Sequence, residues 1–283
     1  LVCPLEAGLA RRDRGVTAVA RRSAGGRTEP CGWRDDLRRR RLRWGGEPGR
    51  RFDEDALRML RTVRFSAQLG FEIEPRTLEA IRALAHLASG LSAERVRDEL
   101  LKTLRSPAPG LVWQLVDLGL LGACLAPGDA SAPREALDVL PIYARLAHFC
   151  RDLAQGGYIM STDSFLAALR FDGETLRRTA SAVEVLKSGS RDWKRLLRGH
   201  GEAAVLAAHP KNRALRAVLR SGECWELSSL AIDGRELDAL GYSGPALGRE
   251  LRRLLAHVLD CPADKRADIL CNLVERKVKH TDN

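Results

Sequence analysis

Glu54, Asp55, Arg58 and Arg61 fall close together in the stretch RFDEDALRMLRTVRFSAQLGF, which runs from Arg51 to Phe71. An aspartate and an arginine three positions apart on a helix set a carboxylate acceptor beside a planar guanidinium fork. Cytosine and adenine each carry an exocyclic amine next to a ring-nitrogen acceptor, so Asp55 and Arg58 suit both bases. Guanine and uracil present a carbonyl next to an N–H and meet the wrong group at each position. The pair is therefore a candidate selector of C and A over G and U. The same residue pattern also describes a helix held by intrahelical ion pairs, each worth about 0.2–0.5 kcal/mol.

Positioning these groups calls for a helix, and its punctuation is present. Asp53 can serve as N-cap, Glu54 and Asp55 put negative charge in the first turn, and Gly70 closes the helix before Phe71. Leu57, Leu60, Val63 and Ala67 recur at spacings of three and four, which turns one stripe to a core and leaves the charged residues on another face. Asp53, Glu54 and Asp55 also spell D-x-D, but helical positions i and i+2 point about 200° apart and cannot chelate one ion together. Pro75 opens a following helix through about Leu87, Ser89 and Gly90 break it, and Ser92 caps the next. On that helix Glu94, Arg95, Asp98 and Glu99 suit either a salt-bridged support for the Asp55 to Arg61 face or an ordinary solvated face.

Apolar residues make up 45% of the 283 and aromatics only 5%, and the apolar repeats follow the helical period. These values point to a mainly α protein with real cores. Lys and Arg number 47 against 37 acidic residues, and the excess is concentrated: residues 1–51 hold 14 Arg and 6 acids. Such asymmetry suggests a polyanionic partner, bound in a salt-dependent way. Gly241, Gly244, Pro245 and Gly248 form a turn before a helix carrying Arg249, Arg252 and Arg253, a second candidate phosphate-backbone site.

The seven cysteines form no C-x-x-C pair, which points to reduced thiols in a cytoplasmic protein. The six histidines are far apart in sequence, so no metal site is expected, and His148 reads as a helix residue without catalytic work. The longest apolar run, Gly110 to Ala126, is interrupted by Gln114 and Asp117 and is short for a membrane span.

Two blocks, RFDEDALRMLRTVRFSAQLGFEIEPRTLEAI from Arg51 to Ile81 and LSAERVRDELLKTL from Leu91 to Leu104, resemble the class II tRNA nucleotidyltransferases (CCA-adding enzymes) and the related bacterial poly(A) polymerases. The first block looks like that family's nucleotide-recognition motif E-D-x-x-R. The resemblance implies an elongated, multi-helical neck, body and tail with only a remnant of an α/β head. It divides the chain into a head remnant at 1–47, a nucleotide-recognition and RNA-binding neck at 48–106, a helical body at 107–220 and a tRNA-binding tail at 221–283. It assigns nucleotide binding to Glu54, Asp55, Arg58 and Arg61, and to Arg11, Arg12 and Asp13, which match an R-R-D motif. Leu230 to Pro262 resembles the tail, so Arg249, Arg252 and Arg253 are expected to face RNA.

CTP, ATP and the tRNA 3′ end are the implied partners, and Mg2+ the implied cofactor. The tract between Arg14 and Trp33 departs from the family and reads as frame-shifted or otherwise altered. The head's G-G-x-V-R-D loop and D-x-D strand, which carry the metal carboxylates in relatives, are not in this sequence, and the chain alone is expected to bind without adding nucleotides. A non-catalytic RNA-binding module, a poly(A) polymerase relative and a helical scaffold unrelated to RNA are the alternatives.

Overall fold

The structure, a computed structural model, describes residues 20–21, 27–28, 33–44 and 46–281, with side chains from 35 to 275 except 45 and 123. Arg11, Arg12 and Asp13 lie outside the described residues. The chain forms two compact units, Leu1–Val183 and Glu184–Asn283. Among the described residues, no helix is long and apolar enough to cross a membrane.

Among the described residues, the first element of the first unit is a two-residue antiparallel ladder, β1 (Ala20–Arg21) on β2 (Arg27–Thr28). No alternating pattern foretells it; Gly25 and Gly26, turn formers by type, lie between the strands in sequence. Next come α1 (Trp33–Arg38), β3 (Arg41–Leu42), α2 (Pro48–Glu54), α3 (Leu57–Leu69) and β4 (Glu72–Ile73). Strands β3 and β4 pair in parallel, Arg41 opposite Glu72. A parallel pair needs a crossover connection, and α2 with α3 supplies it. Then α4 (Pro75–Leu84) continues as a 3-10 turn through Gly90, followed by α5 (Ala93–Leu104), α6 (Val112–Asp117), α7 (Ile142–Gln155) and α8 (Thr162–Ala168). Helix α9 (Gly173–Ser188) spans the boundary between the units.

The apolar stripe of α3 is buried as its spacing predicts: Leu57, Leu60, Val63 and Ala67 are all in the core, with Val96 and Leu100 of α5. Gly70 ends α3 in the left-handed region at φ 66°, and its N–H donates to the Ser66 carbonyl at 2.9 Å. Trp44 is buried, donates from Nε1 to Thr62 Oγ1 at 2.6 Å and meets Phe52 edge-on, which ties α2 and α3 together.

A charged seam crosses this apolar contact. Glu99 of α5 is only 3% exposed. Arg64 of α3 donates to its carboxylate from Nε, Lys102 lies at 3.5 Å, and Arg61 approaches at 3.9 Å. A buried charge is tolerated only when paired. At the C-terminal end of α5, buried Arg145 donates to the Leu104 and Ser106 carbonyls at 2.7 and 3.0 Å, satisfying acceptors that a helix end leaves open.

In the second unit α10 (Trp193–His200), α11 (Glu202–Ala208) and α12 (Arg213–Arg220) close on a core that includes Val185, Leu197, Val205 and Leu215. After them α13 (Gly234–Ala239), α14 (Gly244–Asp260) and α15 (Ala267–Thr281) enclose a second core with Leu237, Leu254, Leu255, Val258, Leu270 and Val274.

Two substitutions test this frame. Gly70→Ala has open space for its methyl group, so its cost is the left-handed backbone alone, about 1 kcal/mol by urea midpoint at unchanged slope. Glu99→Gln keeps the shape but withdraws the negative charge from its cationic partners, and the same measurement is expected to show a loss of about 3 kcal/mol.

Candidate functional site

The one helix expected from an N-cap at Asp53 to Gly70 is in fact parts of two helices. Pro48 occupies the first turn of α2 and Phe52 pins that helix to the core, so the helix starts upstream of Asp53 and Asp53 is not an N-cap. The break comes at Asp55, whose backbone is extended at φ −155° and ψ 100°. Its carboxylate accepts the Leu57 N–H at 3.2 Å, and its carbonyl accepts the Arg58 N–H at 3.0 Å. Aspartate competes for nearby backbone donors in this way, which is why it favours helix ends over helix interiors. The sequence signs are those of a helix start, placed three residues too early: the N-cap of α3 is Ala56.

The break sets the chemistry of each side chain. Arg58 donates through Nη1 to Glu54 at 2.7 Å and to the Arg51 carbonyl at 2.9 Å, and its guanidinium lies 5.9 Å from the Trp44 ring centroid. Arg51 also donates to Glu54, at 3.2 Å. These hydrogen bonds from Arg58 and Arg51 hold the Glu54 carboxyl below its usual range. Glu54 therefore orients the Arg58 fork, and Arg51, which the sequence reading passed over, contributes through both backbone and side chain. Its signal was the i, i+3 spacing to Glu54.

Asp55 faces another neighbour. Arg95, from α5, reaches both of its carboxylate oxygens, at 3.2 and 3.3 Å. The pair is partly exposed, with side chains at 27% and 48%, so it is worth about 1 kcal/mol or less and can yield to a ligand. An ionised carboxylate has about four acceptor positions. With Leu57 and Arg95 as partners, Asp55 keeps capacity for an exocyclic amine. Arg61 is drawn instead toward Glu99, beside Arg64.

The support expected from α5 is thus divided. Arg95 and Glu99 face α3, Glu94 pairs with Arg170 at 2.8 Å, and Asp98 lies 3.4 Å from its neighbour Arg97. At the C-terminal end of α3, a cavity of about 660 Å³ is lined by Ser66, Phe71, Ile73, Leu111 and Gln114 among others.

On α14 the three arginines separate. Arg249 and Arg252 are exposed. Arg253 instead donates from Nε to buried Glu250 at 2.7 Å and so neutralises a carboxylate in the core. All three lie beyond the first turn of α14, which begins at Gly244. The Arg252 carbonyl accepts from Arg198 at 3.3 Å, and Arg195 and Arg198 line a cavity of about 390 Å³ with Asp260.

His148 is buried with its Nδ1 2.5 Å from Glu135, which also takes Arg151 at 2.7 Å. Asp152 accepts the Glu135 N–H at 2.7 Å and Arg151 at 2.6 Å. This closed polar network ties the loop at Glu135 to α7. Burial pushes the Glu135 carboxyl up, but His148 and Arg151 outweigh it and the net shift is downward.

Among the described site residues, neither carboxylate has the setting of a hard-cation ligand: Glu54 is held by two arginines and Asp55 by one. Among the described residues, the one grouping of three metal-ligating types is His257, Cys261 and Asp264, whose thiol and imidazole do not suit Mg2+.

Residues 70–128 match the family described as "Probable RNA and SrmB- binding site of polymerase A". A CCA-adding enzyme of Levilactobacillus brevis is 32% identical over 259 residues, covering 85% of this chain and 65% of that protein. A CCA-adding enzyme of Geobacillus stearothermophilus is 45% identical over 131 residues, 46% of this chain and 32% of that one. The chain thus spans less than two thirds of the length of these curated relatives. The crystal structure of the Bacillus stearothermophilus CCA-adding enzyme in complex with CTP superposes with a TM-score of 0.77 at 25% identity, covering all of this chain and 76% of that one. A Thermotoga maritima CCA-adding enzyme complexed with tRNA shares the fold, with a TM-score of 0.67 at 16% identity over 97% of this chain and 74% of that one. With the E-D-x-x-R residues gathered at a helix break and braced from α5, these likenesses identify the chain as a member of the CCA-adding enzyme and poly(A) polymerase family.

Proposed function

We propose that this chain carries the base-selecting and RNA-binding part of a tRNA nucleotidyltransferase, which adds CCA to tRNA 3′ ends from CTP and ATP. The observation that carries this reading is the division of labour at the α2–α3 break. Glu54 and Arg51 fix the Arg58 fork while Asp55 retains acceptor capacity. Such an arrangement offers one acceptor and one donor set to the edge shared by cytosine and adenine. A relative in complex with CTP supports the nucleotide, and one complexed with tRNA supports the RNA. Arg61, Arg11, Arg12 and Asp13 complete the proposed nucleotide contacts, and Arg249 and Arg252 the RNA contacts, with Arg253 acting through Glu250. The four-part division at 47, 106 and 220 remains part of this reading, as does a cytoplasmic setting, which the free thiols of Cys124, Cys150, Cys224, Cys261 and Cys271 favour.

Mg2+ is the ion the family implies, and it would supply charge stabilisation at the transferred phosphate when bound. Among the described residues, Glu54 and Asp55 are held by arginines and do not fit it. The residues described here select a base and hold RNA. The 283-residue chain by itself is accordingly expected to bind CTP, ATP and tRNA without extending the tRNA. Extension of tRNA by the purified chain would overturn the part of this reading that separates binding from chemistry. Within the family, the relatives cited above favour CCA addition over poly(A) addition.

Replacing Asp55 or Arg58 with alanine is expected to weaken CTP and ATP binding by about 10- to 100-fold, the worth of one well-placed pair of base contacts, and to leave GTP and UTP binding nearly unchanged. Titration calorimetry with the four nucleotides measures this, and equal losses for all four would count against base selection. Replacing Arg249 or Arg252 with alanine is expected to weaken tRNA binding irrespective of sequence and to reduce the salt slope by about 0.7–0.9 per arginine. An unchanged slope would remove both residues from the RNA surface.

A further inference from the structure

We propose that His257, Cys261 and Asp264 form a binding site for a zinc-class divalent cation at the C-terminal end of α14. The three side chains come from different backbone settings and still converge, with one ligand atom from each lying within 4.8 Å of the others. His257 is in the last turn of the helix and Cys261 is its C-cap, four residues on, hence on the same face. Pro262 then starts a 3-10 turn that brings Asp264 back toward the helix end. The turn is fixed by its backbone: the Cys261 N–H donates to the His257 carbonyl at 2.8 Å, and the Asp264 N–H to the Cys261 carbonyl at 3.0 Å. Lys265 anchors the far side by donating to the Gly222 carbonyl at 3.0 Å. Val258 and Leu254 root the helix end in the core of the second unit.

Helix capping explains only part of this cluster. A histidine in a last turn is well placed at the negative end of the helix dipole, and its Nε2 pairs with the Asp264 carboxylate at 2.7 Å, which accounts for two of the three side chains. It does not call for a thiol as a third neighbour. An imidazole nitrogen, a sulfur and a carboxylate oxygen together make a borderline-soft donor set, which suits Zn2+ or Co2+ over Mg2+ or Ca2+. With Cys261 as thiolate and Asp264 ionised, the set carries two negative charges, matching a divalent ion. Helix α14 directs the negative end of its dipole at the same point. The ligands are partly exposed, which leaves a fourth position for water. Binding releases the Cys261 thiol proton and any proton carried by the His257 ring to solvent. The site lies on residues the nucleotide reading does not use, so it stands or falls separately from that reading.

The full chain, stripped of metal with a chelator, is titrated with Co2+. One equivalent is expected to produce a near-ultraviolet thiolate-to-cobalt charge-transfer band, which Zn2+ then displaces. Cys261→Ser is expected to abolish the band, and Asp264→Asn to weaken binding by tenfold or more. The chain has seven cysteines, so the Cys261→Ser result identifies which thiol binds. As a readout that needs no variant, Zn2+ is expected to slow alkylation of exposed Cys261 in the native chain by tenfold or more, read by peptide mass spectrometry. Absence of the band, its survival in Cys261→Ser, or alkylation of Cys261 at the same rate with and without Zn2+ would each overturn the proposal.

Discussion

A carboxylate buried between two helices has to be neutralised, and the way Glu99 meets that demand fixes the geometry of the recognition face. Its cations come from both sides of the contact, Arg61 and Arg64 from α3 and Lys102 from its own helix. Sliding α3 along α5 by one turn would strand the charge, so the ionic seam sets a register that apolar packing alone specifies loosely. Arg95 precedes Glu99 by four residues and so lies on the same face of α5. Once Glu99 is docked, Arg95 falls opposite the start of α3, where it meets Asp55. The outer pair is weak because it is exposed; its position comes from the inner one.

The break at Asp55 and the seam at Glu99 act together. A continuous helix would carry Asp55 around the α2 axis with Glu54, and the two carboxylates would point apart. The extended residue releases Asp55 toward α5 while Glu54 remains on α2 to hold Arg58. Two acidic neighbours in sequence thereby take two tasks, one orienting an arginine and the other facing outward.

What could be read from the sequence was what local chemistry decides. Gly70 ends α3 because only glycine enters the left-handed region cheaply, and Pro75 opens α4 because its missing N–H costs nothing in a first turn. The buried stripe of Leu57, Leu60, Val63 and Ala67 followed from helical spacing. The interruption at Asp55 was not legible, because the same residue type favours a first turn and an extended N-terminal partner, and the choice depends on where Phe52 and Trp44 find their core. Pairs that join separate helices, such as Asp55 with Arg95 and Arg64 with Glu99, leave no periodic trace. Neither do the two-residue strands β3 and β4, too short to show alternation. Arg253 was grouped with its neighbours by charge alone, although Glu250, three residues earlier, was already its partner on the page.

The parallel pairing of β3 with β4 has a kinetic side. Backbone bonds from Glu72 to Arg40 and from Glu74 to Leu42 tie together the two ends of the segment that contains α2 and α3. The described partners of Asp55 and Arg58, apart from the brace on α5, lie inside that closed loop. The entropy of closing such a loop rises only slowly with its length, but a parallel pair is a non-local contact and is slow to form. The recognition element therefore becomes ordered together with α5, because the apolar stripe of α3 is buried against that helix, and the same docking locks the charges at the rim of the loop.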